Sequence, residues 1–561
     1  MKANEISILK FLQEPKQFFV PIFQRRYSWE EKHCKQLWED VIRVGQDDKI
    51  KHHFLGSIVY MEQELGMIGA IPRYLVIDGQ QRLTTLSLLL SALSRAINGK
   101  DSNLGVTPKR LSNYYLFNEH EEGVLRYKQL LTQSDRKTLI HLLENRNLPL
   151  TNASPLLVES YEFFEKRIKE VDLETVYTGL QKLMIVSVAL DRTVDNPQLI
   201  FESLNSTGIS LSQADLVRNY VLMGQDLKFQ KRLYEEYWFP MERLFGKKEY
   251  TVRFDRFMRD YLTLKMRQIP KLQNVYEAFK VQYPSYEIGN SVKLEAIVKE
   301  ISRYAKHFVD ITLLKEEDPE LRECLSDFVE MRAEVAYPFL LEVYDDYAKA
   351  RIEKADVIKI FRLVESYIFR RSVCGIPTNV LNKLFATLMN ENNVDKNKYL
   401  ESLNDVFRKM QTYRRYPTDS EFKQAFNTKD VYNFTRRNYL FRKLENFERK
   451  EPALITDYTI EHVMPRTLTE AWQQELGEDF QRVHEVWVHK IGNLTLTGYN
   501  SDYSNSPFKK KRDMPEKGLR FSPLYLNQSF AGTEQWNEDA IKMRTAELAE
   551  KACKIWIYPE D

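Results

Sequence analysis

An apolar stretch, RYLVIDG (73–79), runs directly into QQRLTTLSLLLSALSRAI (80–97), and this junction limits the fold more than any other part of the chain. The first segment is rich in β-favouring residues and is closed by glycine. The second carries a broad apolar face at helical spacing. The sequence therefore predicts a strand that turns at once into a helix. HFLGSIVYME (53–62) and KLMIVSVAL (182–190) read as further strands. Residues 1–220 thus have α/β or α+β patterning, with helical insertions between about 105 and 175.

From 221 to 400 the pattern becomes helical. RFDRFMRDYLTLKM and DVIKIFRLVESYIFRR place apolar residues three to four apart with charges between them. Residues 401–561 turn basic and aromatic, as in YRRY (413–416) and NFTRRNYLFRKLENFERK (433–450). The expected architecture is α+β, predominantly helical and multi-domain, with segments 1–220, 221–400 and 401–561.

Composition narrows the class. Hydrophobic residues are 43% and charged residues 29% of 561, enough to bury real cores. The net charge of +2 excludes a polycation, so a nucleic-acid surface has to come from local clusters of Lys and Arg. Cys34, Cys324, Cys374 and Cys553 form no CxxC pair, which argues against a thiolate zinc site and a disulfide framework. The N-terminal segment has no signal-peptide core, and no apolar run is long enough to span a bilayer. A reduced, soluble, cytoplasmic protein without membrane association is expected.

The sharpest chemical signal is DYTIEHVMPR (457–466), followed by HKIGNLTLTGYNSDYSNSPFKKKR (489–512). Phosphodiester hydrolysis needs an activated water and positive charge near the phosphate. Histidine suits a general base near neutral pH, and Glu and Asn are hard oxygen donors for Mg²⁺ or Mn²⁺. In order and spacing, EHVMP, GNLTL, Asn500 and SNSPFKKK resemble the HNH (His-Me finger) domain at the C-terminus of GmrSD-type restriction proteins. The resemblance implies a ββα-metal fold with His462 as base, Glu461 as metal ligand and Asn493 as the central Asn bracing the loop. It further implies Asn500 as second metal ligand or its equivalent. Asn505, Lys509, Lys510, Lys511 and Arg512 are then expected at DNA phosphates, and His484 and His489 are further candidates for the site.

VPIFQRRYSWE (20–30) and VIDGQQRLTTL (76–86) form the second signal. Gly79 permits a tight turn and close backbone approach, and the free amides of a helix start attract anions. Arg82 adds a guanidinium fork, Asp78 can hold a cation or water, and Gln80 or Gln81 can position an attacking water. Gln24, Arg25 and Arg26 stand beside aromatics, a mixture suited to phosphate and base contacts. No Walker A sequence is present. This half resembles the GmrS-like, ParB-related domain, whose DGQQR motif is associated with nucleotide binding and hydrolysis. GTP and ATP are both open. In LNSTGISLSQAD, Ser212 and Asp215 fit a helix capping box and Gly208 a turn, while Asp215, Arg218 and Asn219 are also candidate site residues.

Taken whole, the resemblance implies a modification-dependent, nucleotide-regulated DNA endonuclease of anti-phage defence. Double-stranded DNA, modified phage DNA and a nucleoside triphosphate are the implied partners, with a homodimer favoured by double-strand cutting. The alternatives are a nucleotide-dependent DNA-binding regulator without cleavage, and an RNase or toxin-like nuclease.

Overall fold

The computed structural model describes residues 1–63, 71–98, 105–145, 153–191, 194–205, 211–246, 250–391 and 394–559. The expected turn at Gly208 lies outside the described residues. The chain forms two compact units, Met1–Pro240 with Tyr283–Val298, and Met241–Gln282 with Lys299–Asp561. Among the described residues no helix is long and apolar enough to cross a membrane. All four cysteines are free.

The first unit is built on a six-stranded mixed sheet of β1 (Lys2–Ser7), β2 (Gln17–Phe19), β3 (His53–Glu62), β4 (Arg73–Asp78), β5 (Gln129–Leu130) and β6 (Leu183–Leu190), in the order β1-β6-β3-β4-β2-β5. β3 runs parallel to β6 and antiparallel to β4, which puts the expected strands side by side at the centre. The helix Gln80–Asn98 follows β4 directly, with Leu83, Leu86, Leu89, Leu90 and Leu93 buried on its inner face. That spacing matches the apolar stripe read in the sequence. The two strands bordering the middle of the sheet on one side, β2 and β5, are only three and two residues long.

The second unit is helical apart from one two-stranded sheet, β7 (Thr459–His462) with β8 (Leu494–Thr497). The boundary expected near residue 400 falls inside this unit. Asp327, with no solvent exposure, is held by Arg362, Arg442 and Lys443. Arg370 is equally buried and donates to the carbonyl of Trp556 at 2.6 Å and to Pro417 O at 3.1 Å. Phe369 stacks on Trp556 with ring centroids 4.0 Å apart. Helices before and after residue 400 therefore share one core, because buried charges left without these partners would be strongly destabilising.

Candidate functional sites

In the second unit β7 and β8 pair antiparallel, with His462 opposite Leu494 and Glu461 opposite Thr495. Short helices at Asn500–Tyr503 and Phe508–Asp513 follow β8. This gives the ββα order that the EH and GN motifs imply.

Asn493 is the brace of this arrangement. Its Oδ1 accepts from Met464 N at 2.7 Å and Trp536 Nε1 at 3.0 Å, and its Nδ2 donates to Met464 O at 2.9 Å and Val488 O at 3.0 Å. The amide's full hydrogen-bonding capacity is used inside the protein. The chain just after His462 is thereby tied to the start of β8. Arg544, a residue the sequence did not single out, clamps the same turn through Ile491 O, Gly492 O and Leu494 O at 2.7–3.2 Å. Burial pulls its pKa down to about 9. Gly492 is required because a Cβ there would lie 2.4 Å from Ile541 O.

His462 is 7% exposed. Its Nε2 lies 3.1 Å from Nδ1 of His489, so one ring donates and the other accepts. Tyr432 stacks on His489 at 5.2 Å and tilts against His462 at 4.6 Å. Burial, reinforced by the neighbouring His489, Arg466, Lys511 and His484, lowers the His462 pKa to about 3. The imidazole is neutral at physiological pH, which is the form that accepts a proton. Of the two extra histidines, His489 reaches His462 directly, whereas His484 bonds Pro465 O at 3.0 Å. Tyr432 and Arg466, whose guanidinium lies over the Tyr432 ring at 5.7 Å, had no role assigned by sequence.

Glu461 and His462 are neighbours in a strand, so their side chains leave opposite faces. Glu461, 3% exposed, meets Lys511, whose Nζ donates to Glu461 Oε1 at 2.6 Å, His462 O at 2.9 Å and Val463 O at 3.1 Å. Burial raises the pKa of Glu461 and lowers that of Lys511. Asn500 stands at the other end of β7, donating to Ile460 O at 3.0 Å and Thr459 Oγ1 at 3.2 Å. As arranged, these residues do not fit a divalent cation. The carboxylate is neutralised by Lys511, and Asn500 lies at the far end of the strand from His462. Among the described residues no group of three or more His, Cys, Asp or Glu is close enough to hold a metal.

The KKKR run divides in two. Lys509 and Lys510 are exposed, as is Asn505, and can meet a phosphate backbone. Lys511 has no exposure and Arg512 is 8% exposed, with the latter paired to Asp513 and Glu534. The expected four-residue patch is corrected to its first two members, because Lys511 and Arg512 lie three and four residues after buried Phe508 and share its inward face.

In the first unit the two N-terminal motifs are knitted together. Gln24 Nε2 donates to Ile77 O at 2.8 Å, Gln80 Nε2 to Arg25 O at 3.1 Å and Gln81 Nε2 to Arg26 O at 3.2 Å, and Gln81 Oε1 accepts from Ser28 N at 2.9 Å. Gln81 thus braces the loop through both amide atoms, and Gln80 through its Nε2 alone. A third segment joins them, since Arg218 donates to Phe23 O at 2.9 Å and to Asp215 Oδ1 at 2.6 Å. Ser212 caps the helix Gln213–Leu222 by accepting from Asp215 N, so the capping reading holds for that pair. Asn219 is buried in the same helix.

These contacts frame a cavity of about 620 Å³ whose lining includes Arg25, Asp78, Gly79 and Arg82. Gly79 has φ +90°, and a Cβ there would meet Ser57 O at 3.0 Å. Arg82 donates to Ser57 O at 2.9 Å, lies 3.6 Å from Asp78, and packs where a Cβ on Gly56 would touch its guanidinium at 2.9 Å. The Arg25 carbonyl accepts from Gln80, but the Arg25 guanidinium makes no hydrogen bond or ion pair among the described residues. Its pKa is lowered by burial, against the opposing pull of Asp215 and Asp78. Arg26 sits apart from this cavity, over the Phe239 ring at 5.7 Å.

A braced histidine in one unit, and in the other a cavity at a strand-to-helix turn lined by Arg25 and Arg82, define a two-module protein with sites suited to phosphate chemistry. The family model of the GmrSD restriction endonuclease N-terminal domain matches residues 8–222, and that of the GmrSD restriction endonucleases C-terminal domain matches 416–551. The chain belongs to the GmrSD restriction endonuclease family. An uncharacterized protein of Methanocaldococcus jannaschii is 25% identical over 235 residues, covering 35% of this chain and 38% of that relative. The chain thus spans less than two fifths of that relative's length.

Proposed function

We propose that this chain is a DNA endonuclease of a type IV-like, anti-phage restriction system, dependent on DNA modification and regulated by a nucleoside triphosphate. The observation that carries the reading is the neutral, buried His462, fixed by the Asn493 brace. In the reaction His462 takes a proton from water, the water oxygen attacks phosphorus, and the bond to the leaving oxygen breaks. Arg466 and the two exposed lysines supply positive charge for the phosphate. Mg²⁺ and Mn²⁺ are the ions to test at the oxygens of Glu461 and Asn500, and binding at Glu461 requires Lys511 to release it. The N-terminal cavity takes the triphosphate through Arg25, Arg82 and the amides after Gly79, with GTP and ATP as candidates. Double-strand cleavage with one such site per chain calls for a homodimer or paired nicks. The test is cleavage of plain and modified DNA, with His462→Ala as control.

One observation favours a second reading. The Glu461–Lys511 pair occupies the carboxylate a nuclease would offer to a cation, as expected of a nucleotide-dependent regulator that binds DNA without cutting it. Binding without cleavage under every metal and nucleotide condition would establish that alternative.

A further inference from the structure

The cavity in the first unit is larger than its phosphate-binding end. Away from Arg25 and Arg82, its wall is the helix Glu31–Gln46, which presents His33, Gln36, Leu37 and Asp40. These positions are spaced i, i+3, i+4 and i+7, one stripe about 10 Å long. At one end the Trp29 indole stacks on the His33 imidazole, with centroids 5.8 Å apart and planes 25° from parallel. Phe54, on β3, also lines the cavity, yet is 60% exposed. A large ring left open to solvent on the wall of a polar cavity calls for a flat ligand with an apolar face.

At the other end of the stripe Asp40 offers its carboxylate. Arg43 holds Oδ1 at 2.7 Å, and His53 stands 3.5 Å from Oδ2. A carboxylate only accepts hydrogen bonds. Guanine presents two adjacent donors, N1–H and N2–H, whereas adenine presents a donor beside an acceptor lone pair. Aromatic stacking rewards any base, but between guanine and adenine this carboxylate rewards guanine's paired donors.

We infer that the aromatic side chains lining the cavity, Trp29, His33 and Phe54, stack a nucleobase and that Asp40 reads its edge, so that the cavity selects guanosine over adenosine triphosphate. This rests on the nucleotide reading of the same cavity. The test measures binding of GTP, ATP and inorganic tripolyphosphate to the full chain by calorimetry. GTP is expected to bind roughly tenfold tighter than tripolyphosphate, the scale of one base–aromatic stack, and clearly tighter than ATP. Phe54→Ala, at an exposed position that folding tolerates, lowers GTP affinity and leaves tripolyphosphate unchanged. Asp40→Asn narrows the gap between GTP and ATP. Tripolyphosphate binding as tightly as GTP, or GTP and ATP binding equally, would overturn the inference while leaving the phosphate reading standing. Binding of none of the three would remove the nucleotide reading itself.

Discussion

Lys511 Nζ lies 2.6 Å from Glu461 Oε1, with the lysine wholly sealed from solvent and the glutamate nearly so. The same ammonium also bonds the carbonyls of His462 and Val463, so it fixes the strand end that carries the proposed base. Removing one partner leaves the other charge buried and unpaired. Lys511→Met should therefore cost about 3–5 kcal/mol of stability. Adding Glu461→Gln to that variant should restore part of it. Urea unfolding of the two variants checks this, and additive losses would show that the pair is not coupled.

The brace around Asn493 makes a second expectation. Asn493→Ala leaves Met464 N and the Trp536 indole N–H buried without their acceptor, at a cost of about 2 kcal/mol or more. Since no part of the amide is free to touch substrate, a His462 strand that loses its anchor should lower kcat more than it raises KM. A KM effect alone would point to direct substrate contact.

His462 also sets a pH dependence of stability. Its folded pKa of about 3 lies below the ordinary value of 6.5, so between the two the unfolded chain binds the extra proton. This contribution is fully present above about 6.5 and is lost as pH falls towards 3. His462→Gln should flatten the fall in stability across that window. An unchanged slope would mean that other groups produce it.

The lysine run offers a comparison inside one short helix. Lys509→Glu with Lys510→Glu should weaken DNA binding and change the log–log salt slope by roughly two phosphate contacts' worth, about 1.8. If the slope stays the same, these lysines face solvent only. Arg25→Ala should weaken triphosphate binding with little loss of stability, because the Arg25 guanidinium bonds nothing in the described protein. Gln81→Ala should instead destabilise the Arg26–Ser28 loop it holds.

Much of this was legible before the structure. The strands expected at 53–62, 73–79 and 182–190 and the helix at 80–97 appear as His53–Glu62, Arg73–Asp78, Leu183–Leu190 and Gln80–Asn98. Periodicity exposes long, half-buried elements. It did not expose β2 or β5, which are too short to show a period, or β1, whose KANEIS is mostly exposed. At the candidate site the motif located His462 and the Asn493 brace. It did not foresee the buried role of Lys511, because four consecutive basic residues read as a phosphate-contacting patch. The readable clue was Phe508, which sets the inward side for positions three and four residues later. Tyr432 and Arg544 come from segments distant in sequence, so only tertiary packing brings them in. The glutamines of DGQQR suited catalysis by type, and the sequence did not show that both also brace the Arg25–Ser28 backbone.

The most direct test of the account is cleavage by the purified chain and by His462→Ala, on plain DNA and on phage DNA with modified bases or phosphorothioate linkages. Each reaction is run with Mg²⁺ or Mn²⁺, and with GTP, ATP or neither. The account predicts cleavage that responds to modification and nucleotide and disappears in His462→Ala, while that variant keeps its fold and DNA binding. Cleavage by His462→Ala within a few-fold of the unchanged chain would contradict the assignment of His462 as the base.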